Sequence, residues 1–333
     1  MSVRSIDMHA HLLVPEVEAL VAEHPAKAAE MARMATEMGP ASMAHHQSLM
    51  PTYGPKLTDL STRLADMDAM GVDMHAISLS PTQYYYWADP ELAAQIVEAA
   101  NRGIREFCAQ RPERFVGLAA VSLQHPKLAS EQLRKATAEY DLRGVEISTR
   151  IGDVDLADPS FEVFWQTAEE LGSLVFIHPL GCSMGERLAP NYLSNIVGQP
   201  AETTVALSHL IFGGILDRYP ALKICAAHGG GYFPMYITRA DHGYDVRPEI
   251  QRLAERPSAY LKRLWYDSLV YTPEALRNLV DQVGADRIVI GTDYPFDMGM
   301  YEPHAQIDAV PDLTEAERDA IRGGNAASLL NIK

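Results

Sequence analysis

Residues 158–178 read DPSFEVFWQTAEELGSLVFIH, one complete helix signal followed by one complete strand signal. Asp158 and Pro159 form the start: an Asp side chain can accept from the free amides of a first turn, and proline fits the first helical position. The segment that follows has helical period and stops at Gly172. The run LVFIH at 174–178 is short, apolar and rich in strand formers, and it ends in a histidine.

Working outward, the same unit recurs along the chain. Eight runs are predicted as strands: VRSIDMH (3–9), VDMHAISLS (72–80), RFVGLAAVS (114–122), GVEIS (144–148), LVFIH (174–178), LKICAAH (222–228), LWYDSLV (264–270) and RIVIGTD (287–293). Longer helical segments lie between them, such as ADPELAAQIVEAANRGIREFCAQ at 88–110. Strands alternating with helices indicate an α/β fold with a parallel sheet and crossover connections. Eight alternations in 333 residues predict a distorted (β/α)₈ TIM barrel, a fold that needs roughly 250 residues and accepts long insertions. The surplus is at 12–56, rich in Met, Ala, His and Pro and too long for an ordinary βα connection. It is expected to form a helical insertion after strand 1, a lid over the barrel mouth. No repeat, low-complexity tract or linker divides the chain, so residues 1–333 are expected to form a single domain.

A composition of 47% hydrophobic and 22% charged residues suits a globular chain with a sizeable core. The balance of 28 Lys plus Arg against 44 Asp plus Glu gives a formal net charge of -16. That charge opposes non-specific binding to nucleic acid or an anionic membrane and points to a small-molecule partner. Cys108, Cys182 and Cys225 are odd in number and far apart, which matches no disulfide framework and suits a reducing compartment. No apolar run approaches the roughly 18 residues needed to cross a bilayer, and a cytoplasmic protein is expected.

Polar residues fall at the carboxyl ends of the predicted strands: His9 and His11 after the first, His178 after the fifth, His228 after the sixth and Asp293 after the eighth. In a closed barrel these ends share one face, where rigid strands hold catalytic groups and the following loops bind substrate. His9 and His11 are two residues apart, so both imidazoles point to one side of an extended strand. With His178 and Asp293 they make a donor set for one divalent metal ion, zinc first and manganese or iron as alternatives. Such an ion brings the pKa of a bound water toward neutrality and polarises a substrate oxygen.

His228 opens the run HGGG and admits two readings. In one it is a general acid and base beside the metal, with the glycines letting substrate approach the backbone. In the other, HGGG is an oxyanion segment of a serine esterase whose nucleophile elbow is Gly181-Cys182-Ser183-Met184-Gly185. The order opposes the esterase, because its HGGG segment precedes the elbow, and that reading leaves His9, His11 and His178 without a task. His45 and His46 lie in the expected lid and could reach substrate. Met31, Met34 and Met38 recur at helical spacing as packing residues. Arg239, eleven residues after His228, could hold a substrate carboxylate with both arms of its guanidinium.

The runs IDMHAH (6–11), FIHP (176–179), AAHGGGYFP (226–234) with RADHGYDVRP (239–248), and GTDYPFDMG (291–299) together resemble the aminocarboxymuconate-semialdehyde decarboxylase family of the metal-dependent amidohydrolase superfamily. The resemblance extends to the GNAASLLNI tail at 324–332. It implies a distorted (β/α)₈ barrel, one metal usually taken to be zinc, and non-oxidative cleavage of a carbon-carbon bond with release of CO2. It implies metal ligation by His9, His11, His178 and Asp293, with His228 as the acid and base and Asp293 counted among the catalytic residues as well as the ligands. Arg239 matches an arginine that reaches the substrate of a neighbouring subunit, so a homodimer is implied. A second family arginine is missing: upstream of TRLADMD (62–68) the chain reads LMPTYG (49–54). The substrate is thus left open between a semialdehyde and an aromatic acid such as a hydroxybenzoate, in a catabolic route for aromatic rings. A metal-dependent hydrolase or hydratase is the second class consistent with the same residues.

Overall fold

The computed structural model describes residues 5–332; positions 3 and 4 of the first predicted strand lie outside them. β1 (Ile6–Leu12) leads into α1 (Pro15–Val21), α2 (Pro25–Met38), α3 (Pro40–Thr58) and α4 (Leu60–Met70). Then follow β2 (Met74–Leu79), α5 (Pro90–Ala109), β3 (Phe115–Gly117), α6 (Pro126–Glu139) and β4 (Gly144–Ile147). A small antiparallel hairpin, β5 (Arg150–Ile151) and β6 (Val154–Asp155), precedes α7 (Glu162–Leu171) and β7 (Leu174–Ile177). Nothing in the residue pattern at 150–155 signals this hairpin. The remainder holds α8 (Gln199–Phe212), α9 (Ile215–Arg218), β8 (Lys223–Ala226), α10 (Ile237–Val246), α11 (Pro257–Tyr260), β9 (Trp265–Asp267), α12 (Pro273–Val283) and β10 (Ile288–Val289).

The helix starts and stops read from the sequence have the expected chemistry. Asp89 caps α5 by accepting from the Leu92 amide, and Gly172 ends α7 in the left-handed region at φ 59.

Eight strands are parallel and follow chain order around a ring. β1-β2-β3 form one sheet and β4-β7-β8-β9-β10 another. Single bridges join the two sheets at both seams, Ala119↔Val145 at one and Asp7↔Ile290 with Ala10↔Tyr294 at the other. Backbone bonds reinforce each seam, including Ala119 N–H to Gly144 O at 2.7 Å and Met8 N–H to Ile290 O at 2.8 Å. The fold is a TIM barrel with irregular seams.

Several strands are shorter than their sequence signals because their carboxyl ends leave the ladder. Of 287–293 only Ile288–Val289 is regular strand. Beyond it Thr292 gives both its amide and its hydroxyl to Asp7, and Asp293 adopts φ 58. The predicted strand at 264–270 is likewise cut to Trp265–Asp267.

Side chains alternate between two apolar layers. Val145, Ile147, Val175 and Ile177 pack outward with helix residues such as Leu133 and Phe164. Met8, Ala76, Leu118, Phe176, Cys225 and Val289 pack in a second cluster with Leu329 and Leu330 near the C-terminus. A register irregularity in β1 between Asp7 and Ala10 lets Met8 join this inner cluster while Ala10 and Leu12 join the outer one.

Residues 15–58 form α1 to α3, each opening on a proline. α2 buries no residue, and Met31 is 49% exposed. Met34 and Met38 line a cavity at the barrel mouth, which corrects their reading as packing residues. Glu18 ties the segment down, accepting from Gln83 Nε2 at 2.8 Å and Tyr85 Oη at 2.6 Å and pairing with Lys27.

Candidate metal centre and substrate cavity

The strand ends bring His9, His11, His178 and Asp293 together, with one donor atom from each lying within 4.8 Å of all the others. All four residues are buried. His9 and His11 leave β1 on one side with rings 5.1 Å apart and nearly perpendicular. Their Nε2 atoms lie 3.2 and 3.3 Å from Asp293 Oδ1. His178, one residue past β7, places its ring 4.8 Å from His9 and 4.9 Å from His11. Phe176 lies beneath, 5.1 Å from the His9 ring.

The donors fit an ion rather than one another. His9 Nε2, His11 Nε2, both ring nitrogens of His178 and Asp293 Oδ1 are buried without a hydrogen-bond partner. Buried polar atoms cost free energy when unpaired, so a cluster of them aimed at one point indicates a missing partner. Donors bound at roughly 2.0–2.1 Å around one tetrahedral ion stand about 3.3 Å apart, close to the spacing of the two Nε2 atoms from Oδ1. His9 Nδ1 lies 2.7 Å from Asp267 Oδ2, which as N–H donor leaves its Nε2 lone pair free.

The field in the cluster is set by these pairs. Burial works against charge at His9, but Asp293 and Asp267 outweigh it and hold the imidazole well above its ordinary pKa. Burial also opposes charge on Asp293, yet His9, His11 and His228 keep it well below the carboxylate range. His178 is pushed far down by burial and by the neighbouring imidazoles.

His228 follows β8, 5.1 Å from the His178 ring, with Nε2 3.7 Å from Asp293 Oδ2. Its φ of 56 is left-handed, a conformation that a non-glycine residue adopts when its surroundings force it. The restraint is visible: Asp267 Oδ1 accepts from the Gly229 amide at 2.8 Å. Gly229 and Gly230 serve the turn, with protein atoms filling the space a side chain would need, while Gly231 lines a cavity together with His228 and Asp293. A Cβ at Gly229 would meet Val270 Cγ1 at 2.5 Å, and one at Gly230 would meet the Tyr266 ring at 2.7 Å.

His178, His228 and Asp293 open onto the cavity that α2 and α3 cover with Met34, Glu37, Met38 and His46. Burial lowers the pKa of His46. His45 is on the outer side, with Nε2 3.7 Å from Asp297. Among the described residues, the cavity lining contains Glu37 and Asp297 but no lysine or arginine. Arg239 is exposed on α10 and does not line it. Ser183 gives both its amide and its hydroxyl to Glu202 and is also absent from the lining. That arrangement commits the hydroxyl to a carboxylate and leaves no histidine to activate it as an esterase nucleophile.

Asp267, inside the apolar run LWYDSLV, is a site residue that the sequence pattern does not single out. The amidohydrolase family profile matches residues 6–332. The chain belongs to the amidohydrolase family. Within that family it is 35% identical over 276 residues to 2-amino-3-carboxymuconate-6-semialdehyde decarboxylase of Dictyostelium discoideum, covering 82% of this chain and 77% of the relative. A gamma-resorcylate decarboxylase of Rhizobium sp. is 29% identical, covering 83% of this chain and 89% of its own. Among solved structures, 5-carboxyvanillate decarboxylase from Sphingomonas paucimobilis superposes with a TM-score of 0.86 at 26% identity, over 100% of both chains. This amidohydrolase therefore shares its barrel, end to end, with decarboxylases of unsaturated or aromatic acids. Among its described residues, no helix is long and apolar enough to cross a membrane.

Proposed function

We propose that this chain is a metal-dependent non-oxidative decarboxylase of a small unsaturated or aromatic carboxylic acid. The observation that carries the reading is His228 on the cavity wall beside four convergent, unpartnered donors. His9, His11, His178 and Asp293 would hold one divalent ion, and three imidazoles with one carboxylate suit zinc. When bound, the ion supplies a fixed positive charge that attracts an anionic substrate and draws electron density from its reacting end.

The chain's own groups do the rest. His228 holds a proton at the cavity wall and delivers it to the carbon that carries the carboxylate. The new C–H bond takes the electron pair of an adjacent carbon-carbon π bond; the bond to the carboxylate carbon then breaks, its electron pair re-forms that π bond, and CO2 leaves. Asp293, through Oδ2, and Asp267, through the Gly229 amide, orient that imidazole.

The lining supports one carboxylate on the substrate. Glu37 and Asp297 would repel a second anionic group and accept hydrogen bonds from hydroxyl or amino substituents. This favours a hydroxylated aromatic acid, degraded in a catabolic route. We assign α1 to α3 as a lid, and residues 1–333 as one domain. Arg239 would serve a neighbouring copy in a homodimer: Met235, Tyr236 and Val246 expose apolar surface around it. Three free cysteines accord with a cytoplasmic location. The test is CO2 release by metal-loaded protein from a panel containing 2,6-dihydroxybenzoate and 5-carboxyvanillate. Release from at least one acid, abolished by stripping the metal, is expected; consumption of acids without CO2 would overturn the reading.

A further inference from the structure

Glu146 is a buried carboxylate that the proposed reaction does not use. It stands in β4, in register with Phe176 of β7, is 2% exposed, and does not line the substrate cavity. Oε1 accepts from Tyr84 Oη at 2.6 Å. Oε2 has no hydrogen-bond partner and lies 3.9 Å from His11 Nδ1. Ser78 Oγ, from β2, lies 3.3 Å from the same nitrogen. A carboxylate in a barrel interior is costly unless a positive group compensates it, and among the described residues neither a lysine nor an arginine pairs with this one.

We infer that Glu146 is a positioning residue of the metal centre, the counterpart behind His11 of Asp267 behind His9. Tyr84 fixes the carboxylate from one side. From the other, the charge favours the His11 tautomer that carries hydrogen on Nδ1, turned toward Ser78 and Glu146, so that Nε2 offers its lone pair toward Asp293. Two carboxylates thus face the outer edges of the two β1 imidazoles and offset part of a dication's charge. Groups that orient a ligating histidine typically change metal affinity by about 10- to 100-fold.

The inference rests on the reading of His9, His11, His178 and Asp293 as metal ligands, and the experiment separates the two. Zinc affinity is measured by competition with a chromophoric chelator for the wild type, Glu146→Gln and Ser78→Ala, alongside thermal midpoints of stripped and zinc-loaded protein. Glu146→Gln keeps the shape and removes the charge. It is expected to weaken zinc binding about 10- to 100-fold, to shrink the midpoint gain on loading, and to leave the stripped midpoint equal or higher. Ser78→Ala is expected to weaken zinc in the same direction. If both variants bind zinc within twofold of wild type, or if Glu146→Gln lowers stripped and loaded midpoints equally, the assignment of Glu146 is overturned. A wild type that binds no zinc would instead overturn the metal-centre reading itself.

Discussion

Asp267 Oδ2 lies 2.7 Å from His9 Nδ1, and both side chains are fully buried. The same carboxylate accepts from the Gly229 amide through its other oxygen. One residue at the end of β9 therefore orients a metal-site imidazole and the turn that carries His228. Asp267→Asn keeps the size but weakens both contacts. It is expected to lower metal affinity about 10- to 100-fold, and elemental analysis after dialysis against a chelator measures the loss. Full retention of metal would mean that Asp267 does not orient His9.

His228 is adjacent to the donor cluster without belonging to the set within 4.8 Å. His228→Ala is expected to keep its metal while losing about 10²- to 10⁴-fold in turnover, the usual contribution of a placed acid or base. Metal content and kcat measured on one preparation decide it. Loss of the metal would make His228 a ligand and leave the proton transfer without a carrier.

Arg239 is exposed on α10, away from the cavity of its own chain. If it completes a neighbour's site, Arg239→Ala should lower kcat/KM by about 10- to 100-fold, equivalent to one charge-assisted hydrogen bond. Mixing Arg239→Ala chains with His228→Ala chains should restore part of the activity, because a hybrid dimer contains one intact site. Full activity of Arg239→Ala alone would remove the residue from the reaction.

The tether of α1, the first helix of the proposed lid, is expected to respond to acid. Burial raises the Glu18 pKa, but bonds from Lys27, Tyr85 and Gln83 outweigh it, and the net position is below the ordinary range. A carboxylate depressed in the folded state stabilises above its unfolded pKa and loses that contribution as pH falls through the folded value. The thermal midpoint of the wild type should therefore exceed that of Glu18→Gln at pH near 7, with the gap closing below about pH 4. A gap that is constant with pH would show that the ionised Glu18 contributes nothing to the tether.

The barrel was legible in the sequence because a strand buried on both faces needs a continuous apolar run, and such runs stand out between helical segments. The convergence of His9, His11, His178 and Asp293 was legible for a related reason: strand ends in a closed barrel share a face, so position along the chain implies position in space. The contacts behind that face were hidden. Glu146 and Asp267 each sit inside a strand signal, and nothing in GVEIS or LWYDSLV says which way a carboxylate points until register is known. At Gly229 and Gly230 of the HGGG run, a sequence shows that glycines are needed but not whether ligand or protein takes up the space. Here Val270 and Tyr266 fill it.

Loss of CO2 and gain of a proton at one carbon, in the cavity beside His228, is read out by turnover of the best-converted acid in D2O, with CO2 quantified and the product examined by NMR. One CO2 per product and one solvent deuterium on the carbon that bore the carboxylate are expected. A product that retains its carboxylate and has gained the elements of water would contradict decarboxylation and assign this barrel to hydrolysis or hydration.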